Sequence, residues 1–205
     1  MRFFGVLGIG LVLAGLCGCA AAPSFRKNPD QMQAVLHSKS ATARTFAELS
    51  YKLIPSFPFK SANWTSADWE ILDEHAQVFD FDGFKSYLLA YDLPAVGRAR
   101  RFSFVSLPTT SHISTRGVFN PTFRVLDAGF RELAVHEDFP LTSEGVFEGA
   151  FDIPPEGRYL VVHTTREKLS RSGTFEYTSI EGGMTFTSTV KNPMLPEGAF
   201  RIGLE

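Results

Sequence analysis

The body of this chain has no cysteine, because both of its cysteines, Cys17 and Cys19, lie in the opening segment. That excludes disulfide staples, thiolate metal sites and cysteine catalysis from everything downstream, although a domain of this size buries enough core to fold unstapled. Charge of one sign is also missing: 20 Lys and Arg face 22 Asp and Glu, for a formal net charge of −2. With no basic stripe, nucleic-acid binding has no electrostatic support. The five histidines, His37, His75, His112, His136 and His163, form no His-x-His or His-x-x-x-His pair, the spacing by which zinc hydrolases are read. No Gly-x-Ser-x-Gly elbow, phosphate-binding loop or Gly-x-Gly-x-x-Gly turn occurs. The expectation is a protein without catalytic centre, metal or cofactor. What remains is ordinary for a globular protein, with 44% hydrophobic and 20% charged residues. Its 20 phenylalanines against 2 tryptophans predict a core built largely from Phe.

The most informative stretch is the first. Met1-Arg2 gives a positive start, and Phe3 to Leu16 is an uncharged apolar run interrupted only by glycine. A spanning helix needs roughly 20 apolar residues, so this run has the length of a secretory leader instead. Leu16-Cys17-Gly18-Cys19 resembles the bacterial lipobox, in which small Gly18 lets a peptidase reach the bond before Cys19 and the Cys19 thiol takes the lipid. Residues 1–18 are therefore expected to be removed, leaving 187 of the 205 residues and a formal charge of −3 once Arg2 is gone. At ~0.8 kcal/mol per buried methylene, two acyl chains already anchor a protein stably. Ala20, not Asp, follows Cys19. By resemblance to bacterial sorting rules, the expected address is the outer membrane, with the protein facing the periplasm.

Ala20 to Lys27 is small, polar and proline-containing, and reads as a tether over 19–27. Asn28-Pro29-Asp30-Gln31 then combines a capping Asn, a Pro suited to the first helical position and a capping-box Gln. Met32, Val35 and Leu36 follow with helical spacing, which predicts a helix over 29–38. A second helical piece is expected from Thr42 to Leu49, with Phe46, Leu49 and Leu53 along one face. Ile54-Pro55-Ser56-Phe57-Pro58-Phe59 cannot be regular helix, because each proline biases the preceding residue to an extended shape. Residues 28–60 thus read as a helical segment and linker ahead of a domain over 61–205, with the boundary between 54 and 70.

From Gln77 the hydrophobic period becomes two. Phe79 and Phe81 alternate with Asp80 and Asp82, Asp82-Gly83 is a strong turn signal, and Tyr87, Leu89, Tyr91 and Leu93 alternate up to Pro94. A hairpin over 77–93 follows. Further strands are expected at Phe102 to Ser106, Thr122 to Leu126 (running into an Asp127-Ala128-Gly129 turn), Phe147 to Ile153 and Tyr159 to His163. Phe175 to Tyr177 and Thr185 to Val190 are weaker candidates. Thr165 to Ser170 is the one helical candidate among them. Short strands between Gly and Pro turns, without repeated crossover helices, predict a mainly β fold: an antiparallel β-sandwich of jelly-roll or immunoglobulin-like type behind a short helical N-terminal segment.

Asp80-Phe81-Asp82-Gly83 has the alternating oxygens of a calcium loop, but lacks a third ligand before the glycine and the closing glutamate, so a hairpin turn is the better reading. His163 falls on a strand face where a buried structural histidine is expected. Glu144 and Glu148 could serve as a glycosidase pair only if the fold brought them together. Trp64 and Trp69, five apart with Asp68 between them, form either a sugar-stacking platform or a clamp holding the linker to the sandwich.

Three segments carry a family resemblance. Gln77-Val-Phe-Asp-Phe-Asp-Gly-Phe-Lys-Ser-Tyr through Leu93-Pro94, Phe123-Arg-Val-Leu-Asp-Ala-Gly-Phe-Arg-Glu-Leu, and Arg158-Tyr-Leu-Val-Val-His-Thr-Thr-Arg-Glu-Lys-Leu resemble, in the same order, segments of the maltose operon periplasmic protein (MalM-like) family. The short Phe46-Ala-Glu-Leu stretch fits as well. The resemblance covers most of residues 45–170. It implies a secreted periplasmic protein connected with maltose or maltodextrin uptake, with no established enzymatic activity, and it brings no catalytic or ligand residues with it. His163 departs from the apolar residue expected there, and nothing after Ser170 aligns. The expected partners are the membrane, through the lipid, and a maltodextrin or another envelope protein. The alternative to a sugar-linked accessory is a structural or assembly lipoprotein that binds another protein through a sheet edge.

Overall fold

The computed structural model describes residues 28–54, 69–94, 98–108, 117–181 and 184–204. The expected leader with Cys19, the expected tether, Trp64 and most of the expected Pro-containing linker lie outside the described residues. Helix α1 spans Pro29–Ser38, with Asn28 Oδ1 accepting from the Asp30 N–H and Pro at the first turn. It buries Met32 and Leu36. Its limits match the expectation because capping residue, proline and apolar spacing all agree.

The second expected helix is not there. Only Phe46–Glu48 makes a single 3-10 turn. The backbone ahead of it is taken by another partner: the Thr42 N–H donates to the Val78 carbonyl at 2.8 Å, the Val78 N–H donates back to Thr42 Oγ1 at 3.0 Å, and Ala43 bridges Phe79. Strand-like pairing consumes the groups a helix would have used, so tertiary contact overrides the local spacing. Leu53, expected on the apolar face, is 79% exposed. It sits in the two-residue strand β1 (Lys52–Leu53), which runs parallel to Tyr91 and Asp92.

The β elements that follow are β2 (Glu70–Leu72), β3 (Gln77–Phe81), β4 (Phe84–Asp92), β5 (Arg100–Leu107), β6 (Thr122–Leu126), β7 (Glu132–His136), β8 (Glu148–Ile153) and β9 (Tyr159–His163). After the short helix α2 (Arg166–Leu169) come β10 (Ser172–Glu181), β11 (Met184–Pro193) and β12 (Gly198–Leu204). One sheet has the order β1-β4-β9-β6-β7, with β3 also on β4; a second has the order β2-β12-β5-β8. Every pairing in both is antiparallel except β1 with β4. The fold is mainly β, an antiparallel sandwich with a short helix near its N-terminal end, as the strand spacing predicts.

Tyr87 and Tyr91 of β4, Phe123 and Val125 of β6 and Leu160 and Val162 of β9 belong to one apolar cluster with Phe102 and Phe104 of β5, Phe151 of β8 and Phe200 and Ile202 of β12. Phenylalanine dominates it, as composition implies. Phe123 lies 4.7 Å from Phe104 and 4.6 Å from Phe151, ring centre to ring centre. Such pairs add about 0.5–1.5 kcal/mol each beyond simple burial. The opposite faces of β4 and β9 are covered as well. Ala43 and Leu49 close over Leu88, Ala90 and Val161 in a second cluster, with Phe46 and Tyr51 against it. Leu36 and Ile54 join the main cluster, so the N-terminal segment is built into the packing of the sheets.

At the β3–β4 hairpin, Asp82 and Gly83 have φ of 52° and 83°, the two successive positive values of a two-residue hairpin turn. The turn expected at Asp127-Ala128-Gly129 is also present, closed by the Phe130 N–H donating to the Asp127 carbonyl at 3.0 Å. After β6 the left-handed residue is Phe130, at φ 62°, not Gly129. Asp127 Oδ1 accepts from the N–H groups of Gly129 and Arg131 at 2.7 and 3.0 Å, and the Phe130 ring stacks on Tyr159 at 4.6 Å. Ring stacking and an aspartate-clamped turn offset the steric cost of that conformation.

Candidate binding surfaces

A cleft of about 340 Å³ opens where the β3–β4 turn, β6, the end of β9 and α2 meet, lined in part by Phe81, Asp82, Arg124, Glu137, His163 and Arg166. His163 is 1% exposed. Its ring stacks on Phe81 at 4.1 Å. Nε2 accepts from Arg124 Nε at 2.8 Å, and Nδ1 lies 2.7 Å from the Thr164 carbonyl. Since Nε2 accepts and the carbonyl can only accept, the proton sits on Nδ1 of a neutral ring. Burial, and then the Arg124 charge, push its pKa down to about 3. Arg124 in turn bonds Glu132. Lys168, beneath the cleft, donates to the Pro121 and Glu137 carbonyls at 2.6 and 2.7 Å. Burial lowers it to about 8. Arg166 donates to the Gly83 carbonyl at 2.9 Å and lies over the Phe84 ring. His163, Arg124 and Glu132 are tied side chain to side chain, while Lys168 and Arg166 are tied to backbone carbonyls.

The other sequence candidates do not converge on this cleft. Asp80 Oδ1 accepts from the Gly83 N–H at 2.6 Å, so that aspartate organises the turn. Glu144 and Glu148 are exposed and line neither this cleft nor the one of about 500 Å³ beside Arg101, His136 and Asp152. Trp69 stands half-buried immediately before β2, while its expected companion Trp64 lies outside the described residues. Among the described residues no three His, Cys, Asp or Glu side chains are grouped to hold a metal, and no helix is long and apolar enough to cross a membrane.

The second surface is one that sequence reasoning divided into two weak strands. β10 and β11 pair with each other through ten successive positions, from Ser172↔Pro193 to Glu181↔Met184. They form a sheet of their own, with no third strand among the described residues. At about 3.3 Å per residue this ribbon is roughly 30 Å long. Its root is fixed. The Val118 N–H donates to the Pro193 carbonyl at 3.1 Å and the Leu195 N–H to the Val118 carbonyl at 3.0 Å. A Cβ on Gly173 would come within 2.6 Å of Met194 Cε and 2.7 Å of Leu141 Cδ2, so the ribbon leaves the body through a close contact. Beyond the root, β11 is exposed from Met184 to Thr189, with Met184 at 63% and Phe186 at 46%. The alternation Met184-Thr-Phe-Thr-Ser-Thr-Val190 was the available signal. It predicts a strand, but not that neither face would find a core.

No known protein family, curated protein or solved structure matches the chain.

Proposed function

We propose that this chain is a periplasm-facing lipoprotein, held to the outer membrane through lipidated Cys19, that works as a non-catalytic binding protein by engaging another protein through the β10–β11 ribbon, in the context of carbohydrate uptake. The observation that carries this reading is the ribbon itself: beyond its root at Pro193, no third strand pairs with it among the described residues, and Met184 and Phe186 are exposed. Backbone edges of this kind accept a partner strand by β-augmentation, in which main-chain bonds supply affinity and alternate side chains supply specificity. The tie of the neutral His163 ring to Arg124, and of Arg124 to Glu132, supports the non-catalytic part. The anchor and its address rest on Leu16-Cys17-Gly18-Cys19-Ala20, and the sugar context on the MalM-like segments.

Two measurements test it. Cys19→Ala is expected to release the protein from membranes on fractionation; a variant that still sediments with membranes after processing removes the anchor. Crosslinking in cells from positions on β11 is expected to trap a protein whatever the sugar supply, and an empty result along the whole ribbon removes the mode of action.

A second reading, direct binding of maltodextrin, is favoured by the 340 Å³ cleft, where the Phe81 and Phe84 rings adjoin Arg, Glu and Thr side chains able to serve sugar hydroxyls. Calorimetric titration decides it: no heat at millimolar maltodextrin eliminates sugar binding and leaves the ribbon reading intact.

A further inference from the structure

Strand edges left open are hazards, and folded proteins blunt them with charge, proline or a bulge. The two edges of the ribbon differ in this respect. β10 carries Glu176 and Glu181, whereas β11 has no charged residue and no proline from Met184 to Val190. The pairing along the ribbon runs without a register shift. The direction of the open groups can be worked out from its root. Pro193 has no N–H, and its carbonyl accepts from Val118, away from β10. Antiparallel residues alternate between facing the partner strand and facing outward. Counting back by twos, Lys191, Thr189, Thr187 and Thr185 turn their N–H and C=O groups to the outer edge. Consistent with this, Thr187 and Thr178 Oγ1 atoms lie 3.4 Å apart across a pair that exchanges no backbone bonds.

We propose that the occupant of this edge is a second copy of the same chain, its β11 paired antiparallel to the first about a two-fold axis at Thr187. The proposal rests on the reading of the ribbon as a protein-contact element and names its partner. A two-fold contact requires a patch complementary to itself, and this segment meets the requirement residue by residue. Centred on Thr187, Thr185 of one copy faces Thr189 of the other, Phe186 faces Ser188 and Met184 faces Val190. The outward groups of Thr185, Thr187 and Thr189 become the bonded positions, and no like charges meet. Because paired residues share a face, the exposed Met184 and Phe186 of both copies come to one side of a four-stranded sheet. Self-pairing through β10 would instead place the exposed Glu176 of each copy along the seam. Tethering both copies to one surface would raise their effective concentration and reduce the affinity the edge must supply.

The absence of cysteine from the body makes the test direct. In the full lipidated chain, Thr187→Cys places one thiol on the axis, and Thr178→Cys places one on the opposite edge. With a short bis-maleimide, Thr187→Cys is expected to give a covalent dimer at least ten-fold more abundant than Thr178→Cys. Thr187→Pro, which removes an outward N–H without touching the ladder to β10, is expected to abolish the dimer in sedimentation while leaving the circular dichroism unchanged. Equal crosslinking at both positions, or a dimer that survives Thr187→Pro, overturns the proposal. An adduct between Thr187→Cys and a different protein also overturns it but leaves the ribbon reading standing; no adduct anywhere on the ribbon sinks both.

Discussion

The sandwich and the ribbon are written in the same two-residue period, yet they are held together differently. In β4 and β9 most side chains are buried and none is fully exposed, because one face meets the opposing sheet and the other is roofed by the segment from Ala43 to Tyr51. In β11 the same alternation leaves six consecutive residues exposed. The difference shows that alternation specifies a strand with two unlike faces, and that what covers each face is decided elsewhere in the chain. Body strands draw stability from packing; the ribbon depends on its own ladder and its anchored root, and two strands alone are marginal in water.

The sharpest way to break this comparison is to remove a large side chain from each region. Phe123 is 0% exposed, with three other rings around it, those of Phe104, Phe139 and Phe151. Phe123→Ala is expected to cost about 3–5 kcal/mol by loss of transfer energy and the cavity left behind. Chemical denaturation measures it. A loss below 1 kcal/mol would mean that the ring cluster is not the centre of the fold.

How much of this could be read beforehand follows the same division. The α1 limits, the hairpin at Asp82-Gly83 and the strands at Phe102, Thr122, Phe147 and Tyr159 were legible because capping, turn chemistry and alternation coincide there. β12 was not. Phe200, Ile202 and Leu204 do alternate, but Gly198 and Gly203 interrupt the run, and its place between β2 and β5 in the four-stranded sheet, where Phe200 and Ile202 are buried, is set by long-range pairing. β7 was missed for the opposite reason: Glu132–His136 carries half-buried and exposed side chains and is a strand because it pairs with β6. The Thr42–Leu49 helix failed through contacts from Val78 and Phe79, more than thirty residues away in the chain. Of the site residues, His163 was placed correctly as a buried strand residue, but its bond to Arg124 is a long-range pairing that no local spacing encodes.

His163 also separates the two regions by pH. Folded, it stays neutral down to about pH 3, whereas an unfolded histidine takes up a proton near pH 6.5. Between those values the unfolded state binds more protons, so stability falls as the pH is lowered, by up to about 1.4 kcal/mol per pH unit from this group. Burial of the ring against Phe81, and then the charges of Arg124 and Lys168, make the uptake unfavourable in the fold. His163→Gln is expected to flatten the acid limb of a stability–pH curve between about 6.5 and 3. An unchanged limb would show that the ring is already protonated in the folded protein.

The smallest effect belongs to the ribbon and is the most discriminating. Phe186→Ser removes an aromatic ring that is 46% exposed on a strand with no sheet beyond its hairpin partner among the described residues. Surface substitutions of this kind shift stability by no more than about 0.5 kcal/mol. Phe186→Ser should therefore leave the denaturation midpoint of the body in place, in contrast to Phe123→Ala. Any contact made by the apolar side of the ribbon should weaken, which crosslinking yield or sedimentation would register without a change in folding. If Phe186→Ser destabilised the chain as a core substitution does, the ring would be packing against the body, and the contrast between a self-sufficient sandwich and an outward-facing ribbon would collapse. A stable variant with reduced association ties Phe186 to binding, because the only property it has lost is the one the sandwich does not need.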